Sequence, residues 1–459
     1  MKRFMQIVAL VGAMLLMSAP AWSDNPFNHV SQAPGGKGDV LIFPMYMVLD
    51  GSFETKIQVV NTKENASAVA KVVLRSPVYS EEIRDFFIFL SPTDMWEGTI
   101  RMEANQVVVH STDPSTLTSS EPTFASEANP FQVSVINPGC DDTNIYGYVE
   151  VFLSYVFDRN RIVNNATINL TEPVVPKANI YNAYVRDGSL LSPNPDPVAG
   201  AAPINLEREY RNILAGNFQI EVPAAGWASA LNAVALKDFG LAAAAGLLET
   251  SFADDSLNSM VEVEAALAKN FIGMTYNNDV TEFNNTLHFF NFPTKLALYD
   301  FTECELVGLR GEYTGFSQGP KKGVQVGIRA MDMEEKTITP DLPIISPFEP
   351  GEAAVFPDEL SFNFPMAFEK GWYRYQLDNG PTIGQFNDED YGDIRYYGAP
   401  VIPFSMNYGS SGFSMMYGFW TDGQVEWVGV DDEVDFVLPL QDYQYAQGWV
   451  VTEGMLDDL

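Results

Sequence analysis

Apolar and polar residues alternate with period two over short stretches of this chain, and each stretch ends in a turn signal. Phe53, Thr55, Ile57 and Val59 alternate with Glu54, Lys56 and Gln58, and the polar run Asn61 to Asn65 closes the segment. A period of two sends successive side chains to opposite faces, which suits a half-buried strand and not a helix. Val72 and Leu74, set between Lys71, Val73 and Arg75, read as the returning arm of a hairpin. Phe86 to Leu90 is a short apolar run before Ser91-Pro92, the pattern of a strand covered on both faces. Gln106 to Ser111 puts Val107 and Val109 on one face and His110 on the other. Phe131 to Ile136 and Gly147 to Phe157 continue the series, and Val149, Val151, Leu153, Tyr155 and Phe157 are expected to share a face. Short strands joined by polar turns predict a mainly β protein whose N-terminal part is an immunoglobulin-like β-sandwich.

Proline sets the expected boundary. Ser189 to Pro203 holds Pro193, Pro195, Pro197 and Pro203, which lack the N–H a strand ladder needs, so residues 189–205 read as a loop or linker. It divides a β-sandwich domain, 24–188, from a second β-rich domain, 206–459, with a helical insertion near 241–270. Within that insertion, Met260, Val261, Glu264, Ala265 and Leu267 recur at helical spacing between Asn258 and Asn270, with Asn258 or Ser259 as cap. Leu241 to Leu248 suggests a shorter Ala-rich helix. Strands resume from Thr286.

The first residues indicate the compartment. Lys2 and Arg3 precede an apolar stretch from Ile7 to Met17, followed by Pro20 and the small-residue site Ala21-Trp22-Ser23. This is the order of a cleaved signal peptide, residues 1–23, and the stretch is shorter than the roughly 20 residues that span a bilayer. Export to the periplasm, cell surface or medium is expected, with no membrane span in the mature chain. Removing residues 1–23 takes away two positive charges and no negative one, moving the net charge from −34 to −36. Such a field repels nucleic acid and anionic lipid, so neither is an expected partner. Disorder does not explain the charge, because 46% hydrophobic and 13% aromatic content suffices for a packed core. Cys140 and Cys304 are the two cysteines. In an oxidising compartment they are expected to form an intramolecular disulfide, the alternatives being two buried thiols or an intermolecular bridge.

Few residues suggest chemistry. The three histidines, His29, His110 and His288, have no paired spacing, and His288 sits in an apolar strand where a structural role is the simpler reading. No nucleophile elbow, phosphate loop or dinucleotide fingerprint occurs. Asn387-Asp388-Glu389-Asp390-Tyr391-Gly392-Asp393 resembles a calcium loop in composition, with Asp388, Asp390 and Asp393 as oxygen ligands and Gly392 for the turn, although it lacks a distal bidentate Glu. Asp141-Asp142 and Asp431-Asp432-Glu433 are weaker versions of the same idea. The C-terminal aromatics, including Trp372, Tyr373, Tyr375, Tyr391, Trp420, Trp427 and Trp449, fit either strand packing or stacking platforms for sugar rings.

Five phrases belong together: Gly38-Asp39-Val-Leu-Ile-Phe43-Pro44-Met-Tyr46, Val59-Val60-Asn61-Thr62, Leu90-Ser91-Pro92-Thr-Asp94-Met-Trp96, Phe292-Pro293-Thr294-Lys295 and Asp332-Met-Glu334-Glu335-Lys336-Thr337. As a set they resemble a group of secreted, β-rich proteobacterial surface or extracellular proteins with no assigned activity, in which similar phrases recur in this order. The resemblance implies secretion and a β-rich fold, and it implies no catalytic residue. The expected function is therefore a non-enzymatic, secreted surface or extracellular structural protein that self-associates. The alternatives are a carbohydrate-binding surface protein and a secreted hydrolase using a carboxylate pair. Residues Asp24 to Gly38, polar and broken by Pro and Gly, read as a free arm able to lie on a neighbouring subunit. If the compartment is oxidising as expected, a thiol assay on denatured, unreduced mature protein finds no free sulfhydryl; two per chain would remove the disulfide.

Overall fold

The computed structural model describes residues 30–185, 212–239, 252, 259–279, 285–309, 324–338 and 355–438, with short gaps inside these ranges. Strands make up 61% of the described structure and helices 8%, and the four principal sheets are arranged like the blades of a four-bladed propeller. The first sheet orders its strands Ser31–Gln32, Val234–Lys237, Val40–Met47, Tyr146–Phe157, Ser67–Arg75 and Glu82–Leu90. The second orders them Trp227–Asn232, Leu214–Val222, Glu54–Asn61, Met95–Glu103, Gln106–Ser111 and Phe131–Ser134. Leu41, Phe43, Val72 and Val151 of the first sheet meet Ile57, Val59, Trp96 and Phe218 of the second in one buried core.

This is not the immunoglobulin-like pairing expected from the sequence. The strands Leu214–Val222, Trp227–Asn232 and Val234–Lys237 return from beyond the Pro-rich segment and complete both sheets. Leu214–Val222 pairs with Glu54–Asn61 along its whole length, so the boundary expected at 189–205 does not divide one set of sheets from another. That Pro-rich segment and the suggested helix 241–248 lie outside the described residues.

A bulge corrects the reading of strand Tyr146–Phe157. Tyr155 stands opposite Val69 while Leu153 stands opposite Ala70, which leaves Ser154 as an extra residue. One extra residue reverses every later side chain. Val149, Val151, Leu153 and Val156 therefore face the core between the first two sheets, whereas Tyr155 and Phe157 face outward. There they pack with Phe89, Leu170 and Val175 under the helix Lys177–Ala183, whose Ile180 and Ala183 are buried in the same cluster.

The chain crosses between the first two sheets at two neighbouring corners. One joins Glu54–Asn61 to Ser67–Arg75; the other joins Glu82–Leu90 to Met95–Glu103. Asn61 is fully buried and binds the two corners together. Its side-chain amide donates to Ala66 O at 2.7 Å and to Ser91 O at 3.0 Å, and its Oδ1 accepts from Lys63 N at 3.1 Å. Beside it, Trp96 fills the core and donates its indole N–H to Thr116 Oγ1 at 2.6 Å.

The third sheet, ordered Leu360–Asn363, Asn285–Asn291, Ile402–Gly409 and Gly412–Tyr417, is covered on both faces. Phe289 and Phe404 stack with centroids 5.0 Å apart and join the core of the first two sheets. On the other phase, Phe290 packs with Ile272, Tyr373 and Tyr375 of the fourth sheet. That sheet runs Thr337–Ile338, Val324–Asp332, Lys370–Leu377, Ala268–Asn277 and Ala399–Pro400, with Val355–Phe356 and Phe419–Asp422 pairing off this path. The expected helix occupies Ser259–Leu267 and passes directly into strand Ala268–Asn277.

Replacing Asn61 by Ala removes both corner donors and leaves two carbonyls without them. Asn61→Ala is expected to lower the unfolding free energy by about 3 kcal/mol. Urea denaturation checks this against Asn65→Ala, an exposed position in the same turn, which should change little.

Candidate functional site

Two polar clusters among the described residues hold groups capable of chemistry. The first lies where the corner Ser91-Pro92-Thr93-Asp94 meets the start of helix Lys177–Ala183. Asp94 N donates to Ser91 O at 3.1 Å, closing a four-residue turn. Thr93 takes φ 58°, the left-handed position that favours Gly or Asn, and its N–H is anchored on Lys63 O at 2.8 Å. The turn aims the Asp94 carboxylate at Lys177: Nζ of Lys177 contacts Oδ2 of Asp94 and also donates to Ser91 Oγ at 3.1 Å. The same Oδ2 accepts from Ser91 N and from Ser115 Oγ, each at 3.2 Å. Behind Ser115, Asp113 Oδ1 accepts from Ser115 N at 2.8 Å, and burial raises the Asp113 carboxyl above its ordinary value. Burial pushes the Lys177 amine down to about 8. Ser91 Oγ accepts from Lys177 and is not polarised as a nucleophile, and Ser91 N and Asp94 N are already spent on the turn. The cluster is thus unlike a Ser–Lys hydrolase site.

The second cluster is a polar seam between the third and fourth sheets. His288 is fully buried. Its Nε2 lies 2.9 Å from Thr275 O, which can only accept, so Nε2 carries the proton. Nδ1 then accepts from Tyr375 Oη at 2.7 Å, and Tyr375 accepts from Asn363 Nδ2 at 2.7 Å. The direction of every bond is fixed for neutral imidazole, and burial lowers the His288 pKa to about 4. The seam matches the simpler reading of His288 as a satisfied structural residue.

The remaining sequence candidates are distributed as follows. Asp388 and Asp390 lie outside the described residues, as do Cys140, Cys304 and His29; Asp393 opens strand Asp393–Tyr396, opposite Val428. Among the described residues no three His, Cys, Asp or Glu side chains gather closely enough to hold a metal ion. His110 pairs across strands with Thr99 and Gln132. Tyr373, Tyr375 and Trp420 are buried core residues, and Trp372 packs against Phe419 at 5.9 Å. Tyr391 and Trp449 lie outside the described residues.

Three of the five phrases are backbone locks. A Cβ on Gly38 would lie 2.2 Å from Leu236 O, and the next residue, Asp39, accepts Asn212 N at 2.6 Å. Asp332 Oδ1 accepts from Glu334 N and Lys336 N at 2.9 and 2.7 Å, folding its turn. Leu90 to Trp96 is the corner already described. Lys177 carried no sequence signal of its own; only its partner's phrase did. No family model, curated protein or solved structure matches the chain.

His288 also makes stability depend on pH. Its folded pKa of about 4 lies below the ordinary 6.5, so the unfolded chain binds the extra proton between these values. The contribution is complete above pH 6.5 and is lost as pH falls toward 4, by about 3 kcal/mol. Urea unfolding of wild type and His288→Gln at pH 7 and pH 4.5 should show the wild type losing more stability by a large part of that amount. Equal losses would contradict it.

Proposed function

We propose that this chain is an exported, non-catalytic structural protein of a bacterial surface or extracellular layer, and that it self-associates once salt or calcium screens its charge. The reading rests chiefly on how the reactive side chains are used. Asp94, Lys177, His288 and Tyr375 are committed to bonds that fix corners and sheets against one another. The leader-like residues 1–23 and the resemblance to secreted surface proteins support export. Among the described residues, no helix is long and apolar enough to cross a membrane.

The N-terminal arm is the proposed assembly element, in a form modified by the fold. Its described part lies on its own chain: Ser31 and Gln32 pair with Lys237 and Leu236 at the edge of the first sheet. Val30 N donates to Glu262 Oε2 at 2.6 Å, and Gln32 Nε2 donates to Ala266 O at 2.8 Å. Association through the arm is therefore an exchange, in which each arm leaves its own edge for the equivalent edge of a second copy. Gly36, at φ 67°, stands where the arm turns.

Mutual repulsion of chains near −36 opposes association at low salt and yields as screening rises. Light scattering of mature protein should show growth in mass with salt and, at lower concentration, with calcium. A variant starting at Gly38 should stay monomeric throughout. Asp390→Ala should blunt the calcium response and leave the salt response intact. Monomeric behaviour of the full mature chain in every condition would end the assembly reading.

A further inference from the structure

We propose that the Lys177 and Asp94 side chains are joined by an intramolecular amide bond that forms after the chain folds. Lys177 Nζ touches Oδ2 of Asp94 and is held from the other side by Ser91 Oγ at 3.1 Å. Ser91 N–H and Ser115 O–H both point at Oδ2, each at 3.2 Å. Two donors on one carboxyl oxygen are what a tetrahedral carbon requires, because negative charge collects there as the amine adds. The Asp94 turn is rigid, pinned by Thr93 N on Lys63 O at 2.8 Å. The Lys177 helix is anchored through buried Ile180 one turn later. Two reactants held in contact by a folded scaffold gain an effective concentration that solution cannot match.

The reaction balances without any added reagent. The Lys177 ammonium gives up a proton and Oδ1 of Asp94 takes one up, leaving a neutral amine and a neutral acid whose Oδ2 stays unprotonated under its two donors and whose Oδ1 is the oxygen that departs. The nitrogen lone pair forms a bond to Asp94 Cγ. A second proton moves from nitrogen to the departing oxygen, the C–O bond breaks, and one water leaves. Ammonium plus carboxylate becomes amide plus water, with no change of oxidation state. Burial favours the neutral pair over the charged one, and it pushes the Lys177 amine down to about 8, within reach of neutral pH. Asp113, whose carboxyl burial raises, accepts from Ser115 N and so holds Ser115 in place behind Asp94.

Such a bond would close the chain from Asp94 to Lys177 around strands Met95–Glu103, Gln106–Ser111, Phe131–Ser134 and Tyr146–Phe157. Tyr146–Phe157 is an inner strand of the first sheet and Met95–Glu103 of the second, so the bond would tie both sheets into one closed loop. The inference is independent of self-association and holds for a monomer equally.

The test is peptide mass spectrometry on the full mature protein, reduced, denatured and digested. A branched peptide containing both Lys177 and Asp94 is expected, lighter by one water than its two linear parts together. Fragmentation should place the junction at those two side chains. Lys177→Arg keeps a cation beside Asp94 but lacks the amine, and should yield only linear peptides and a lower melting temperature. Recovery of linear, unmodified Lys177 and Asp94 peptides as the main species from wild-type protein would overturn the proposal, whatever the variant does.

Discussion

A chain that crosses repeatedly between two packed sheets must turn its backbone inside the protein, where every N–H and C=O needs a partner. Asn61 meets that requirement for two corners at once. Its amide reaches Ala66 O in its own corner and Ser91 O in the next, and Asn61 N donates to Asp94 O at 2.9 Å. The corner it shares carries Asp94, which binds the 113–116 segment through Ser115 and the helix through Lys177. Sheet pairing, the seating of Trp96 and the docking of the helix all pass through this one end of the first two sheets. Losing a buried donor here costs more than losing a surface bond, because water cannot take its place on the buried carbonyls.

The far half is held by a different device. In strand Asn285–Asn291 one phase, Phe289, joins the core of the first two sheets, and the other phase, Phe290, joins the core under the fourth. Apolar contact alone would tolerate sliding of one sheet over another. The seam from Thr275 through His288 and Tyr375 to Asn363 does not, since its directional bonds of 2.7–2.9 Å join groups of both sheets. Asn291 adds a bond across the other face, donating to Pro44 O at 2.9 Å in the first sheet. Polar bonds thus fix the position of sheets that apolar burial merely holds together.

Local patterns made the strands legible, and long-range events hid the rest. Ile57, Val59, Val107 and Val109 lie in the core as their alternation indicates, because a strand's faces are set by its own sequence. The bulge at Ser154 is set by pairing with Val69 and Ala70, and a strictly alternating reading carries Tyr155 and Phe157 to the wrong face. The strands Leu214–Val222 and Val234–Lys237 look like the start of a second domain; only their partners, Glu54–Asn61 and Val40–Met47, show that they finish the first sheets. The Lys177 cluster was half visible. Ser91-Pro92-Thr93-Asp94 announces a tight turn, but nothing near Lys177 in sequence says that a residue 83 positions away meets Asp94.

The charge balance gives these few cations more weight than their number suggests. With 26 Lys and Arg against 60 Asp and Glu, acidic groups outnumber cations by more than two to one, and those without a cation are solvated or take N–H donors, as Asp39 does from Asn212 N. Half-buried pairs near the surface such as Lys56 with Glu221, at 2.8 Å, contribute little in water. The inner pairs differ. Glu150 is buried and depends on Arg75, whose Nε lies 3.0 Å away, because burial raises the carboxyl and the guanidinium holds it charged. Removing one member of such a pair leaves a buried charge, at a cost of about 3–5 kcal/mol. A protein this acidic also carries an outward pressure from its own field that grows as salt falls. Arg75 opposes that pressure from inside the first sheet, where screening by salt reaches least. The surface can therefore remain strongly negative while the sheets beneath it stay in place.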